Sequence, residues 1–125
     1  MELIIGGAYQ GKTNFVKTAF SLSNDDIFVC QEGEELDLHK KCLSHLEKWS
    51  AWCVKNGVSP EEEFFKVVKN PEEKILVSDD IFCGVVPLDP MERAFREAHG
   101  RLLLRISEKS EHVTRIFCGI PARLK

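Results

Sequence analysis

The stretch with the clearest chemistry is Gly6-Gly7-Ala8-Tyr9-Gln10-Gly11-Lys12-Thr13, which fits G-x-x-x-x-G-K-[ST], the phosphate-binding P-loop. Each residue type has a physical reason to be there. The glycines let the backbone curl so that successive N–H groups converge on one anion. A helix beginning at the loop, through Asn14, adds free amides and a positive dipole end. Lys12 would reach the β- and γ-phosphates, and Thr13 would place its hydroxyl on Mg²⁺. The competing reading, a glycine turn with a solvated lysine, leaves the flanks unexplained. Leu3-Ile4-Ile5 is an apolar run suited to a buried strand, and Asn14 to Leu22 can continue as a helix. The cradle therefore runs over Gly6, Gly7, Ala8, Tyr9, Gln10, Gly11, Lys12, Thr13 and Asn14.

A P-loop site also needs a carboxylate at the end of a neighbouring strand, to hold Mg²⁺ or its waters. Asp79 and Asp80 end the apolar run Ile75-Leu76-Val77, and two adjacent residues there cannot both face the phosphates. The bland alternative is a pair of solvated acids capping the next turn. The histidines His39, His45, His99 and His112 have no carboxylate partner that spacing identifies. The arginines after Pro90 read mainly as a solvated helix face, and the two tryptophans as core or subunit contact.

The elements that must position these groups alternate along the chain. Ile27 to Cys30 reads as a short strand. Leu36 to Val54 reads as one helix, from the recurrence of Leu36, His39, Leu43, Leu46, Trp49 and Cys53. Ser59-Pro60-Glu61-Glu62 and Asp89-Pro90-Met91-Glu92 each open a helix, with Ser59 or Asp89 at the N-cap and Pro at the first helical position. Ile81 to Leu88 reads as a loop with Gly84 and Pro87. Thr114 to Cys118 is a last strand. The order β-α-β-α-α-β-α-β predicts an α/β fold: a small parallel sheet of about four strands with helices on both faces, a three-layer sandwich like those of P-loop NTPases.

At 125 residues the chain is expected to be one nucleotide-binding domain, 1–125, and its net charge of −3 disfavours nucleic acid as a partner. The five cysteines are scattered without C-x-x-C, which suggests buried free thiols in a reducing cytoplasm rather than disulfides or zinc. The amino terminus lacks a signal-peptide pattern and no stretch approaches a membrane span, so the expected location is cytoplasmic.

Several stretches resemble one family, adenosylcobinamide kinase / adenosylcobinamide-phosphate guanylyltransferase, of cobalamin biosynthesis. The segment from Ile75 to Pro87 resembles its "V-[ST]-N-E-V-G-x-G-I-V-P" stretch, with Phe82 where the family has its first Gly. Arg93 to Arg101 is similar to its "A-R-x-F-R-D-x-A-G-R" helix, Cys118 to Lys125 to its "x-G-[IL]-P-x-x-L-K" end, and Gly6 to Thr13 to its "G-G-A-R-S-G-K-S". The likeness is collinear and spans about half the chain.

The resemblance implies an NTP-dependent kinase or a GTP-dependent guanylyltransferase with Mg²⁺ and a cobinamide acceptor. It makes Asp80, standing where the family keeps an acid, the preferred metal carboxylate beside Thr13. It makes Lys12 and His39 the catalytic pair, His39 standing in for the family's guanylylated histidine although the flanking arginines of "R-[IV]-x-x-H-x-x-x-R" are missing. His45 fits that role less well. The middle of the chain is shorter than the family's, and its "L-[LV]-[DE]-C-[LI]-T" strand is expected to have no counterpart. That shortening keeps an alternative open: a reduced relative that binds nucleotide without transferring it, or a small P-loop kinase with another acceptor. The family's members assemble as oligomers, so a homo-oligomer is expected.

Overall fold

Alternation along the first strand decides the layering. In β1 (Glu2–Gly6), Leu3 and Ile5 point to one face and Ile4 to the other, and both faces are covered. The same partition runs through β4 (Ile75–Asp79), where Leu76 joins Leu3 while Ile75 and Val77 join Ile4. On the Ile4 side lies α1 (Lys12–Ala19), through Val16 and the flanking Phe15 and Phe20. On the Leu3 side lie α2 (Leu46–Lys55), α3 (Pro60–Val67) and α4 (Pro90–Lys109), packed through Trp49, Cys53, Phe64, Leu102 and Ile106. The result is the three-layer α/β sandwich the residue pattern implies. The structure, a computed structural model, describes residues 1–81 and 88–125. The loop expectation at Gly84 and Pro87, and the Phe82 replacement, lie outside the described residues.

With β2 (Ile27–Val29), β3 (Cys42–Ser44), β5 (His112–Phe117) and β6 (Ile120–Arg123), the sheet order is β2-β3-β4-β1-β5-β6. All pairings are parallel except β5 with β6. Six strands replace the expected four or so, and the two extra ones have different origins. At β6, Cys118 (φ 51°) and Gly119 (φ 75°) turn the chain back on itself, making an antiparallel hairpin of the segment after β5.

The other extra strand corrects the expected helix over Leu36–Val54. Only Leu46–Lys55 is helical; Cys42, Leu43 and Ser44 are all buried between β2 and β4. A three-residue run buried on both faces carries no period of its own, so it could be threaded into a helical stripe. His45, at φ 55°, makes the break between strand and helix. β3 thus adds an internal strand where the residue pattern implied none.

The two proline-led helix starts form as expected. Ser59 accepts from the Glu62 N–H at 3.4 Å and Asp89 from the Met91 N–H at 3.2 Å. The thiols of Cys30 and Cys42 are pushed up to about 12 by burial, and that of Cys53 to about 11, so these three are inert packing groups. Cys118 departs from the buried expectation and is exposed.

Candidate functional site at the carboxyl ends of β1, β3 and β4

The P-loop leaves the carboxyl end of β1 at Gly6. A Cβ there would lie 2.5 Å from the Ile116 carbonyl oxygen of β5, so only glycine lets the strands pair this closely. Gly11, at φ 91°, makes the left-handed step into α1. The loop is braced from outside: the Gly119 N–H donates to the Gln10 carbonyl at 2.8 Å, and the Cys118 N–H donates to the Gln10 side-chain oxygen. The β5–β6 hairpin therefore buttresses the loop.

Lys12, the first residue of α1, is buried. Its ammonium donates to the Gly7 carbonyl at 2.6 Å and lies 2.7 Å from Asp79 Oδ1. That oxygen is buried and accepts no well-aligned hydrogen bond among the described residues, so the ion contact is its compensation. The lysine is folded back onto its own loop and a strand-end acid, which a phosphate could displace.

The loop opens onto a cavity of about 440 Å³, lined by residues 8–14, Ser44, His45, Lys48, Val77 and Asp79. A second cavity of about 430 Å³, with Ala51, Met91 and Phe95 among its apolar lining, shares Lys48 and Asp79 with the first. His45, at the carboxyl end of β3, sets its Nδ1 3.0 Å from Glu47 Oε2. The Glu47 side chain is 6 % exposed against 41 % for His45. Its other oxygen accepts from the Asp79 N–H at 2.9 Å. Ring and carboxylate atoms of His45, Glu47 and Asp79 all lie within 4.8 Å of one another.

Beneath this cluster, His99 of α4 is fully buried between Ser50 Oγ (2.7 Å from Nδ1) and Ser78 Oγ (2.8 Å from Nε2). Burial pushes its pKa down to about 4, so the ring is neutral. Ser78 in turn lies 3.5 Å from Glu47 Oε1.

The structure brings some of the expected residues together and separates others. Residues 8–14 line the cavity, Gly7 meets the Lys12 ammonium through its carbonyl, and Thr13 is exposed on the cavity. Asp79, not Asp80, meets the lysine. The reason is the period of the strand: Val77 and Asp79 share the α1 face, whereas the Asp80 carboxylate lies 3.7 Å from Arg115 Nη2. His39 is not at the site. It precedes β3, beside Glu73 and Lys74 before β4, and so lies at the amino-terminal edge of the parallel strands, opposite the P-loop. The resemblance placed it by sequence order alone. Glu47 and Lys48 were missed because the imagined long helix gave them no fixed direction; recognising Cys42–Ser44 as a strand would have placed His45, Glu47 and Lys48 at its carboxyl end.

Thr13 and Asp79 together offer a hydroxyl and a carboxylate, the hard oxygen donors Mg²⁺ takes, and Asp79 Oδ1, which meets the Lys12 ammonium but accepts no hydrogen bond among the described residues, fits such a role.

Fold and loop thus define an α/β three-layer sandwich of the P-loop type. Residues 37–124 match the family described as cobinamide kinase / cobinamide phosphate guanyltransferase, and the chain belongs to that family. The match begins beyond the P-loop. A search of curated proteins finds no match. Among the described residues no helix is long and apolar enough to cross a membrane.

Proposed function

We propose that this chain is an NTP-dependent kinase of cobalamin biosynthesis that phosphorylates a hydroxyl of adenosylcobinamide with ATP or GTP. The observation that carries the reading is Lys12, buried in a glycine-rich loop, 2.7 Å from a strand-end carboxylate and facing a cavity of about 440 Å³. Amides of residues 6–14 hold the triphosphate, and Lys12 moves from Asp79 onto the β- and γ-phosphates as charge develops there. Thr13 and Asp79 would hold Mg²⁺, which supplies neutralisation of phosphate charge when bound. Lys48, at the mouth of the same cavity, adds a second cation. The adjoining half-apolar cavity, which shares Lys48 and Asp79, suits an acceptor delivering its hydroxyl to the γ-phosphate.

The kinase half of the family's activity is favoured over guanylyl transfer because His39, the expected carrier, lies at the opposite edge of the sheet, and His45, which does line the cavity, lacks the arginines that flank the family's histidine. The reduced relative without transfer chemistry is supported by the shortened middle of the chain and by the missing arginines around His39. We place the chain in the cytoplasm as one nucleotide-binding domain, and as a homo-oligomer, since Leu104, Phe117, Ile120 and Leu124 are apolar and exposed.

Incubation with Mg²⁺, labelled ATP or GTP and adenosylcobinamide tests the reading. Transfer of the γ-phosphate to the acceptor is the expected result. An acid-labile protein–GMP adduct would turn the assignment to the guanylyltransferase, and bound nucleotide without any transfer would turn it to the reduced relative.

A further inference from the structure

The P-loop motif contains no proton acceptor, yet phosphorylating a hydroxyl requires the proton to go somewhere. His45 and Glu47 form a pair beside the cradle that the motif does not account for. Glu47 is buried and pinned: one oxygen accepts from the Asp79 main chain at 2.9 Å, the other faces His45 Nδ1 at 3.0 Å. A carboxylate on that side places the ring proton on Nδ1 and makes Nε2 the ring's proton-accepting nitrogen. The ring itself is partly exposed and lines the phosphate cavity. It reaches this place through a left-handed backbone, φ 55° and ψ 45°, at the start of α2. Its side chain does not cap that helix. A non-glycine residue held in such a conformation with its side chain turned to a buried acid suggests a position set by function.

We propose that His45 is the general base of phosphoryl transfer and Glu47 its positioning residue; this rests on the kinase reading above. As the acceptor hydroxyl attacks, its proton passes to His45 Nε2. The freed electron pair of that oxygen forms the bond to the γ-phosphorus. The bond from that phosphorus to the bridging oxygen breaks, and the nucleoside diphosphate leaves with the pair. The resulting imidazolium is held by Glu47 until it returns the proton to water. The same Glu47 oxygen pair ties the base to Asp79, the partner Lys12 releases when triphosphate arrives, so base and cradle are assembled on one strand end.

The test uses the full chain with Mg²⁺, ATP or GTP, and adenosylcobinamide. Nucleotide affinity and steady-state kinetics are measured for wild type, His45→Ala and Glu47→Gln. His45→Ala is expected to bind nucleotide normally, which also controls for folding, and to lose about 10²–10⁴-fold in kcat, as removal of a general base does. Free imidazole in solution is expected to restore part of the loss in His45→Ala and none in Glu47→Gln, where the ring is still present. Wild-type kcat in His45→Ala overturns the proposal, as does a change confined to KM. A kcat loss that imidazole leaves untouched assigns His45 a structural role and overturns it too. Wild type that binds nucleotide without transfer removes the kinase reading and this inference together; wild-type transfer with an unimpaired His45→Ala removes this inference alone.

Discussion

The two ends of the parallel sheet carry similar residue types and do different things. At the amino edge stand His39, Lys41, Glu73 and Lys74; at the carboxyl edge stand Lys12, His45, Glu47, Lys48 and Asp79. At the amino edge the charges are dispersed. His39 is exposed, and the Lys74 ammonium donates to the carbonyls of Leu38 at 2.5 Å and Lys40 at 2.7 Å, fastening a loop. At the carboxyl edge Lys12 and Glu47 are buried and each is compensated by named partners. Burying a charge is costly unless it is paired, so charges retained inside a site that opens onto a cavity mark the carboxyl edge as the candidate functional end. Residue type alone would not separate the two edges.

The contrast can be broken by substitution, starting where the effect is largest. Lys12→Ala is expected to lower turnover by about 10²–10³-fold, the scale of losing a preorganised donor to developing charge. Steady-state assays with saturating nucleotide read this directly, and wild-type turnover in the variant would make the two edges equivalent.

Next comes stability against pH. The folded protein keeps His99 neutral down to about pH 4, whereas the unfolded chain takes up the proton near 6.5. Between those values the unfolded state binds more protons, so stability rises with pH through this window. It is fully present above 6.5 and is lost progressively, by about 3 kcal/mol, as pH falls to 4. Urea unfolding over a pH series should show this slope, and His99→Gln should flatten it.

Gly11→Ala is smaller: a left-handed φ of 91°, with the Gly119 Cα 3.3 Å from the added methyl, is expected to cost about 1–2 kcal/mol. A thermal melt checks it, with nucleotide affinity falling as the loop shifts against the β5–β6 hairpin. The smallest effect belongs to the amino edge. His39→Ala should stay within about 0.5 kcal/mol in stability, as exposed sites do, and leave kinetics unaltered. A large loss in His39→Ala would revive the guanylylated-histidine role and erase the contrast.

Much of this was legible in the residues. The loop at Gly6–Thr13, the flanking strand and helix, and the caps at Ser59 and Asp89 are local signals that structure rarely overrides. What was not legible depends on neighbours distant in sequence. Cys42-Leu43-Ser44 is a strand because β2 and β4 cover it, and three residues are too few to announce a period. The choice of Asp79 over Asp80 follows from which face α1 occupies, knowable only once Ile4, Val77 and Val16 are seen to pack together. Spacing gave His99 no partner; its place as a buried bridge depends on Ser50 and Ser78, 49 and 21 residues away.

The central claim is that the bend after β1 binds a triphosphate through Lys12 and main-chain amides. Calorimetric titration of the full chain with Mg²⁺·ATP and Mg²⁺·GTP, alongside Lys12→Ala, tests it most directly. The account predicts saturable binding of at least one triphosphate by wild type and its loss in the variant. Absence of binding by wild type, or equal binding by both proteins, would contradict it.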